Sequence, residues 1–142
     1  MEQRRQGFSL FELIVTVAII AFLASVSAPR ASKLLDRLGV RGGAHDVLLG
    51  LATARSAATH RGAYASFLAD SATGALLVVC GRDTLFRRNV AQGRRVTLSV
   101  TRDSITYAPT GLGWGAANTT VIVSRGALAD TIVVSRMGRV RH

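Results

Sequence analysis

An apolar run of 21 residues, from Phe8 to Ala28, constrains this chain more than any other feature of its sequence. A helix rises about 1.5 Å per residue, so a run of this length can span the roughly 30 Å hydrocarbon core of a bilayer. Arg4 and Arg5 precede the run, and the positive-inside tendency places that end in the cytoplasm. The sequence therefore predicts a single-pass membrane helix over 8–29, with the rest of the chain on the far side of the membrane.

A cleaved secretory signal is the main alternative for this segment. Its outline includes a basic start, an apolar stretch and small residues such as those between Ser25 and Ala28. The apolar region of such a signal usually has about 7 to 15 residues, and it has no use for the acid Glu12. An ionisable residue in a bilayer costs about 2 to 3 kcal/mol on insertion scales. The presence of Glu12 therefore predicts that its carboxylate has a partner inside the membrane and that the residue is functional.

The start of the run resembles a known processing motif. The segment GFSLFEL, from Gly7 to Leu13, is similar to the leader motif of type IV pilin-like proteins, which prepilin peptidase cleaves after the glycine. The resemblance implies a leader over 1–7, cleavage between Gly7 and Phe8, and N-methylation of Phe8 by the same peptidase and methyltransferase. It also implies that Glu12 pairs with the terminal amine of a neighbouring subunit, turning two costly buried charges into one pair that sets the axial register.

Helical spacing of apolar residues resumes after the span and continues over 30–62. Pro29 predicts either a bend or the end of the first helix. Within the second stretch, Gly39, Gly42 and Gly43 each weaken a helix by about 1 kcal/mol relative to alanine. The sequence therefore predicts a break or a loosened turn at these glycines, which would be either a hinge or a loop between two helices.

Short β-type runs separated by turn residues fill 63–142 and predict a β-rich periplasmic head with antiparallel pairing. The predicted strands are Ala63–Leu68, Ala75–Cys80, Thr84–Val90, Arg95–Thr101, Ser104–Ala108, Thr119–Ser124 and Thr131–Ser135. The predicted hairpin turns are Ser71–Gly74, Ala91–Gly93, Arg102–Asp103 and Gly126–Asp130.

Three later segments extend the resemblance over nearly the whole chain. Residues 51–62, 105–111 and 132–141 are similar to the helix-to-strand passage and the later strand motifs of the GspH/FimT pseudopilins. The resemblance implies an α+β fold, in which a long N-terminal helix, membrane-spanning in its first half, packs on a small antiparallel sheet. It implies a minor pilin or pseudopilin at the tip or priming complex of a type II secretion pseudopilus or a type IV pilus. The implied partners are other pilin subunits, prepilin peptidase and the bacterial inner membrane.

The side chains that usually carry chemistry form no catalytic set, so the sequence predicts no enzyme, no cofactor and no small-molecule substrate. His45, His60 and His142 are not spaced as metal ligands, and surface positions are expected for all three. Cys80 is the only cysteine, and we expect it to be buried and inert in an apolar strand. Trp114 lies in a glycine-rich stretch that predicts a flexible loop, in which the ring serves either as a lid on the core or as an interaction anchor.

Basic residues are concentrated at the C-terminal end of a chain whose net charge is +10. Arg136, Arg139 and Arg141 lie within the last seven residues, and strand alternation would place Arg139 and Arg141 on one face as a clamp for phosphate. FimT-like members of the family carry such a tail and are associated with binding DNA during natural uptake, whereas GspH-like members serve type II secretion. DNA binding is therefore an alternative function. A solvated cationic end, pairing with carboxylates of neighbouring subunits, or an arginine-rich composition set by the genome would also explain the arginines.

Overall fold

One long helix, α1 (Leu10–Arg61), runs through the N-terminal part of the chain. The computed structural model describes residues 9–115 and 118–142, with the side chains of residues 26–29 left aside. The chain divides into a first unit that ends at Leu35 and a second unit, Asp36–His142. Helix α1 continues through residues 29 and 39–43 without interruption. The predicted break at the glycines is therefore wrong.

The second unit contains two antiparallel sheets and a short second helix. In the part of the chain that the structure describes, the elements after α1 are β1 (Ala65–Asp70), β2 (Ala75–Cys80), β3 (Asp83–Asn89), α2 (Val90–Arg94), β4 (Thr97–Val100), β5 (Ser104–Tyr107), β6 (Gly113–Trp114), β7 (Thr119–Arg125), β8 (Leu128–Val134) and β9 (Val140–Arg141). The first sheet has the strand order β3-β2-β1-β5-β6, and the second has the order β4-β7-β8-β9. Every pairing between these strands is antiparallel.

Glycines on helix α1 are the positions where the helix approaches the sheets most closely. A Cβ built on Gly43 would lie 2.7 Å from Cγ1 of Val123 in β7. A Cβ built on Gly50 would lie 2.5 Å from Cε2 of Phe67 in β1. Real Cβ atoms essentially never approach a neighbour this closely, so a side chain at either position would force Val123 or Phe67 to shift. The packing gained by this approach outweighs the helix propensity that glycine lacks, which explains why α1 does not break.

Two ion pairs tie α1 to the second sheet and to α2. Nε of Arg94 lies 3.1 Å from Oδ2 of Asp46, which is almost completely buried. Nε of Arg125 lies 2.9 Å from Oδ1 of Asp36, and Nη1 of Arg125 donates to the carbonyl of Arg94 at 3.0 Å. These contacts surround the glycines of the helix, so they fix the same stretch that the sequence predicts to be a break.

The predicted α+β class, with a long N-terminal helix packed on antiparallel sheet, is confirmed. Two predicted hairpin turns are wrong, because β4 belongs to a different sheet from both β3 and β5. Residues 91–93 lie in α2, and residues 102–103 link the two sheets. The turn predicted over 126–130 is shorter, since β8 already begins at Leu128. Helix α2 and the two-residue strands β6 and β9 were not predicted.

Candidate functional sites: the N-terminal helix and the arginine cleft

Glu12 lies in the first turn of helix α1, where a negative charge interacts favourably with the helix dipole. Its side chain is exposed, and its carbonyl accepts a hydrogen bond from Oγ1 of Thr16 at 2.6 Å. Ser9 precedes the helix and stands three residues before Glu12, which is the spacing of a capping box. Glu12 can therefore support the start of the helix as well as meet a partner. The predicted cleavage and methylation positions, Gly7 and Phe8, lie outside the described residues.

Large apolar side chains on the first part of α1 are exposed within the part of the chain that the structure describes. Large hydrophobic residues are exposed from Leu10 to Leu23, and Phe11 retains 75% of its accessible surface. By length and composition, α1 is the one helix among the described residues that is apolar enough to cross a membrane, with a mean hydropathy of 2.4 over its most apolar stretch. A surface of this kind is stable in a bilayer or against other apolar helices.

The C-terminal arginines lie around a tight turn that joins β8 to β9. The backbone N–H of Ser135 donates to the carbonyl of Arg139 at 2.8 Å, and the N–H of Arg139 donates to Oγ of Ser135 at 3.1 Å. Gly138 has a φ of +77°, and a Cβ there would lie 2.7 Å from the ring of Tyr107. Glycine is thus needed at this position both for the backbone conformation and for the close approach to Tyr107.

Arg139 and Arg141 line one depression, which we call the arginine cleft. It has a volume of about 460 Å³. Its lining residues are Arg55, Leu112, Ser135, Met137, Arg139 and Arg141. No aspartate or glutamate is among these residues, so the cleft combines three arginines with two exposed apolar side chains. A surface of this composition suits an anion that also presents an apolar part.

Arg136 does not share this cleft. Its backbone N–H donates to Oδ1 of Asn118 at 3.0 Å, and it borders a different, much smaller cavity beside Trp114. The structure therefore brings two of the three predicted arginines together and separates the third. The cation that completes the cleft is Arg55, which comes from helix α1.

Sequence reasoning missed Arg55 because 84 positions separate it from Arg139 along the chain. Gly111, in the loop between β5 and β6, lies next to Arg55 in the fold. Its φ is +76°, and a Cβ built on it would lie 3.5 Å from Nε of Arg55. Burial raises the pKa of the neighbouring Tyr107 hydroxyl, and the positive charge of Arg55 opposes that shift. The only signal in the sequence was a charged residue among the alanines of a helix that was expected to pack on a sheet.

Cys80 is buried, as predicted, and the three histidines are exposed. One of them, His142, places Nε2 at 2.8 Å from Oδ2 of Asp130, which joins the chain end to β8. Trp114 is 59% exposed, and its ring centroid lies 5.3 Å from that of Tyr64. The expectation of a tryptophan lid over the core is therefore wrong, because this ring packs on a surface tyrosine.

Comparisons with known proteins find matches both to the N-terminal sequence motif and to the fold. The model of the prokaryotic N-terminal methylation motif matches residues 3–28. A comparison with curated proteins found no match. The chain thus combines this motif with a long helix whose later part packs on the antiparallel sheets of the second unit.

Solved structures show the same fold at low sequence identity. The type IV minor pilin FimU of Pseudomonas aeruginosa is 16% identical with a TM-score of 0.64, over 76% of this chain and 90% of that one. The minor pseudopilin EpsH of the type 2 secretion system of Vibrio cholerae is 11% identical with a TM-score of 0.50, over 75% of this chain and 94% of that one. This chain is therefore pilin-like in its N-terminal motif and in its fold.

Proposed function

We propose that this protein is a minor pilin or pseudopilin of the GspH/FimT type, a structural subunit of a type II secretion pseudopilus or a type IV pilus. The observation that carries the proposal is the methylation motif at residues 3–28, together with a helix whose first part exposes large apolar side chains in the described structure. Such a surface is stable in a bilayer before assembly and among the helices of other subunits afterwards.

Processing and topology follow from this role. Residues 1–7 are the leader, 8–29 span the inner membrane, 30–62 carry the helix into the periplasm and 63–142 form the head. Prepilin peptidase cleaves between Gly7 and Phe8, and the new amine of Phe8 is methylated. Intact-mass measurement of the protein purified from its host membrane tests this directly. A mature chain that begins at unmodified Ser9, or anywhere beyond 29, would contradict the proposal.

Glu12 is the assembly residue in this proposal, since its carboxylate pairs with the terminal amine of a neighbouring subunit. Glu12→Gln is the informative variant, because glutamine keeps the capping-box spacing with Ser9 but removes the charge. We expect Glu12→Gln to be processed and inserted normally and to be lost from the sheared filament fraction. The matched control is Thr16→Val, which removes the hydroxyl that donates to the Glu12 carbonyl and leaves the charge in place. Normal incorporation of Glu12→Gln would show that the charge has no role in assembly.

A second function is supported by one further observation, the placement of Arg139 and Arg141 in the same cleft. In this role the head of a FimT-like minor pilin binds extracellular DNA for natural uptake. Arginine contacts with phosphates are independent of sequence and weaken steeply with salt. Titration of the detergent-solubilised protein with duplex DNA at several salt concentrations tests this function. Replacing both arginines by alanine should abolish the binding, and unchanged binding would exclude the tail.

A further inference from the structure

We propose that Arg55 of helix α1 is a third phosphate-binding residue of the arginine cleft and that Arg136 is not part of that site. The inference rests on the second function above, DNA binding by the head, and it specifies which residues carry it. It follows from the structure alone, because neither the spacing of the arginines nor the tail sequence connects position 55 with the C-terminal segment.

The composition of the cleft favours an anionic ligand. Arg55, Arg139 and Arg141 line a single depression of about 460 Å³, and no carboxylate lies among its lining residues. Elsewhere in the second unit, Asp46 is paired with Arg94 and Asp36 with Arg125. Three arginines at one site without an acid concentrate positive potential there, which favours a ligand that carries several negative charges.

The fold holds the backbones of all three arginines in place. Arg55 comes from the part of α1 that packs on the sheets, with the fully buried Ala54 next to it in the chain. Arg141 lies in β9, where it pairs with Val133 of β8, and the neighbouring His142 contacts Asp130. Arg139 is fixed by hydrogen bonds of its backbone to Ser135. Backbones held in this way reduce the ordering cost of binding, so a bound phosphate strand gains more from each contact.

The cleft also has an apolar part. Leu112 and Met137 are both exposed, although large apolar side chains are usually covered. They lie beside the arginines, so a ligand with phosphates on one side and sugar or base surface on the other matches the cleft. A polymer of carboxylates would satisfy only the arginines. The combination therefore favours a nucleic acid strand over an acidic protein surface.

The separation of Arg136 makes the inference specific. Arg136 borders the small cavity next to Trp114, and its backbone is held by Asn118. It contributes charge to the tail in the sequence but not to the cleft in the fold. Because Arg136 is not among the residues that line the cleft, we expect its removal to affect binding less than removal of Arg55.

The test compares four variants of the full-length protein in detergent, with binding of a fluorescent duplex DNA measured by anisotropy from low to high salt. Arg55→Gln is chosen because glutamine retains most of the aliphatic stem that packs near Gly111 and removes the charge. We expect Arg55→Gln and Arg139→Gln to weaken binding by roughly tenfold each and to lower the slope of log K against log salt by about one. Arg136→Gln and the control Arg87→Gln, an exposed arginine in β3, should change the affinity by less than about twofold.

Several outcomes would overturn the inference. Unchanged affinity and salt slope for Arg55→Gln would remove Arg55 from the site while leaving DNA binding by the tail intact. A loss with Arg136→Gln equal to that with Arg55→Gln would indicate a diffuse cationic surface. Binding of polyglutamate as tight as that of DNA would indicate a carboxylate partner. Absence of DNA binding by the unaltered protein would overturn both the inference and the second function, whereas filament incorporation, measured separately, would still report on the structural role.

A loss of binding caused by unfolding is recognised by a thermal melt of each variant. Arg55→Lys provides a further check, because lysine keeps the charge and loses the planar fork that contacts phosphate through two N–H groups. We expect Arg55→Lys to melt like the unaltered protein, to retain its salt slope and to bind DNA with an affinity between those of the unaltered protein and Arg55→Gln. A loss as large as that of Arg55→Gln would contradict a role through charge.

Discussion

The two parts of helix α1 have the same backbone conformation and opposite surroundings. From Leu10 to Leu23 the large apolar side chains are exposed, whereas from Val40 onward one side of the helix is buried against two sheets, with Val47 and Ala54 at 0% exposure. The first part is apolar apart from Glu12 and Thr16, and the second part buries a stripe of small and aliphatic residues with charges elsewhere. The same helix therefore has an exposed apolar surface in its first part and a side buried against its own sheets in its second part.

The largest difference between the two parts should appear when leucine is truncated. Leu51 is 1% exposed in the core, so we expect Leu51→Ala to lower the free energy of unfolding of the head by about 2 to 5 kcal/mol. Leu13 is 57% exposed, so Leu13→Ala should leave that free energy within about 0.5 kcal/mol of the original. Urea unfolding of the full-length protein in detergent, followed by the fluorescence of Trp114, measures both. A comparable loss in Leu13→Ala would show that the first part also supports the head.

The class of fold could be predicted from the sequence because its signals are local. The apolar N-terminal run, the short apolar β-type run of β2 and the turn over 71–74 each depend on neighbours along the chain, and β2 lies at its predicted bounds. The division into two sheets could not be predicted, since a short link between strands favours a hairpin unless distant contacts decide otherwise. Those contacts join Thr97 with Ser124 and Ala65 with Tyr107, pairs that are far apart in sequence.

The candidate sites divide in the same way. Glu12 is recognisable from its place within the apolar run, and Arg139 and Arg141 from their spacing. Arg55 required the fold, because a residue on a helix and a residue in a C-terminal strand approach each other only through tertiary structure. The glycines of α1 show the opposite error, since local propensity predicts a break where packing requires the absence of a side chain.

Adding one methyl group to the packed part of the helix should have the next largest effect. Gly50→Ala would place a Cβ 2.5 Å from Cε2 of the buried Phe67, which cannot move away without disturbing the core. We expect a loss of about 1 to 3 kcal/mol in unfolding free energy, even though alanine favours the helix by about 1 kcal/mol. Gly93 in α2 has open space around its Cβ position, so Gly93→Ala should be neutral or slightly stabilising. Equal behaviour of the two variants in urea would contradict close packing at Gly50.

The smallest expected effect concerns the end of α1, where Nη1 of Arg61 lies 2.6 Å from Oδ2 of Asp83. The hydrogen bond that Arg61 donates to Asp83 raises the pKa of Arg61 above its ordinary, already very basic value. Because the pKa of this base is higher in the folded state, the pair stabilises the fold at every pH below the unfolded-state pKa. That stabilisation is lost only as pH rises through the folded-state pKa. Between about pH 5 and about pH 9 the arginine therefore contributes no pH dependence, and salt is the useful variable.

Both partners of this pair are well exposed, with 44% and 66% of their side-chain surfaces accessible. We therefore expect Asp83→Asn to lower the urea midpoint slightly at low salt and to match the unaltered protein in about 1 M NaCl, where exposed charges are screened. Asp103→Asn, a change at another exposed carboxylate, is the control and should show no such salt-dependent difference. A loss in Asp83→Asn that persists in high salt would mean that the pair is a structural part of the junction between α1 and β3, and the packed part of the helix would then extend to its last residue.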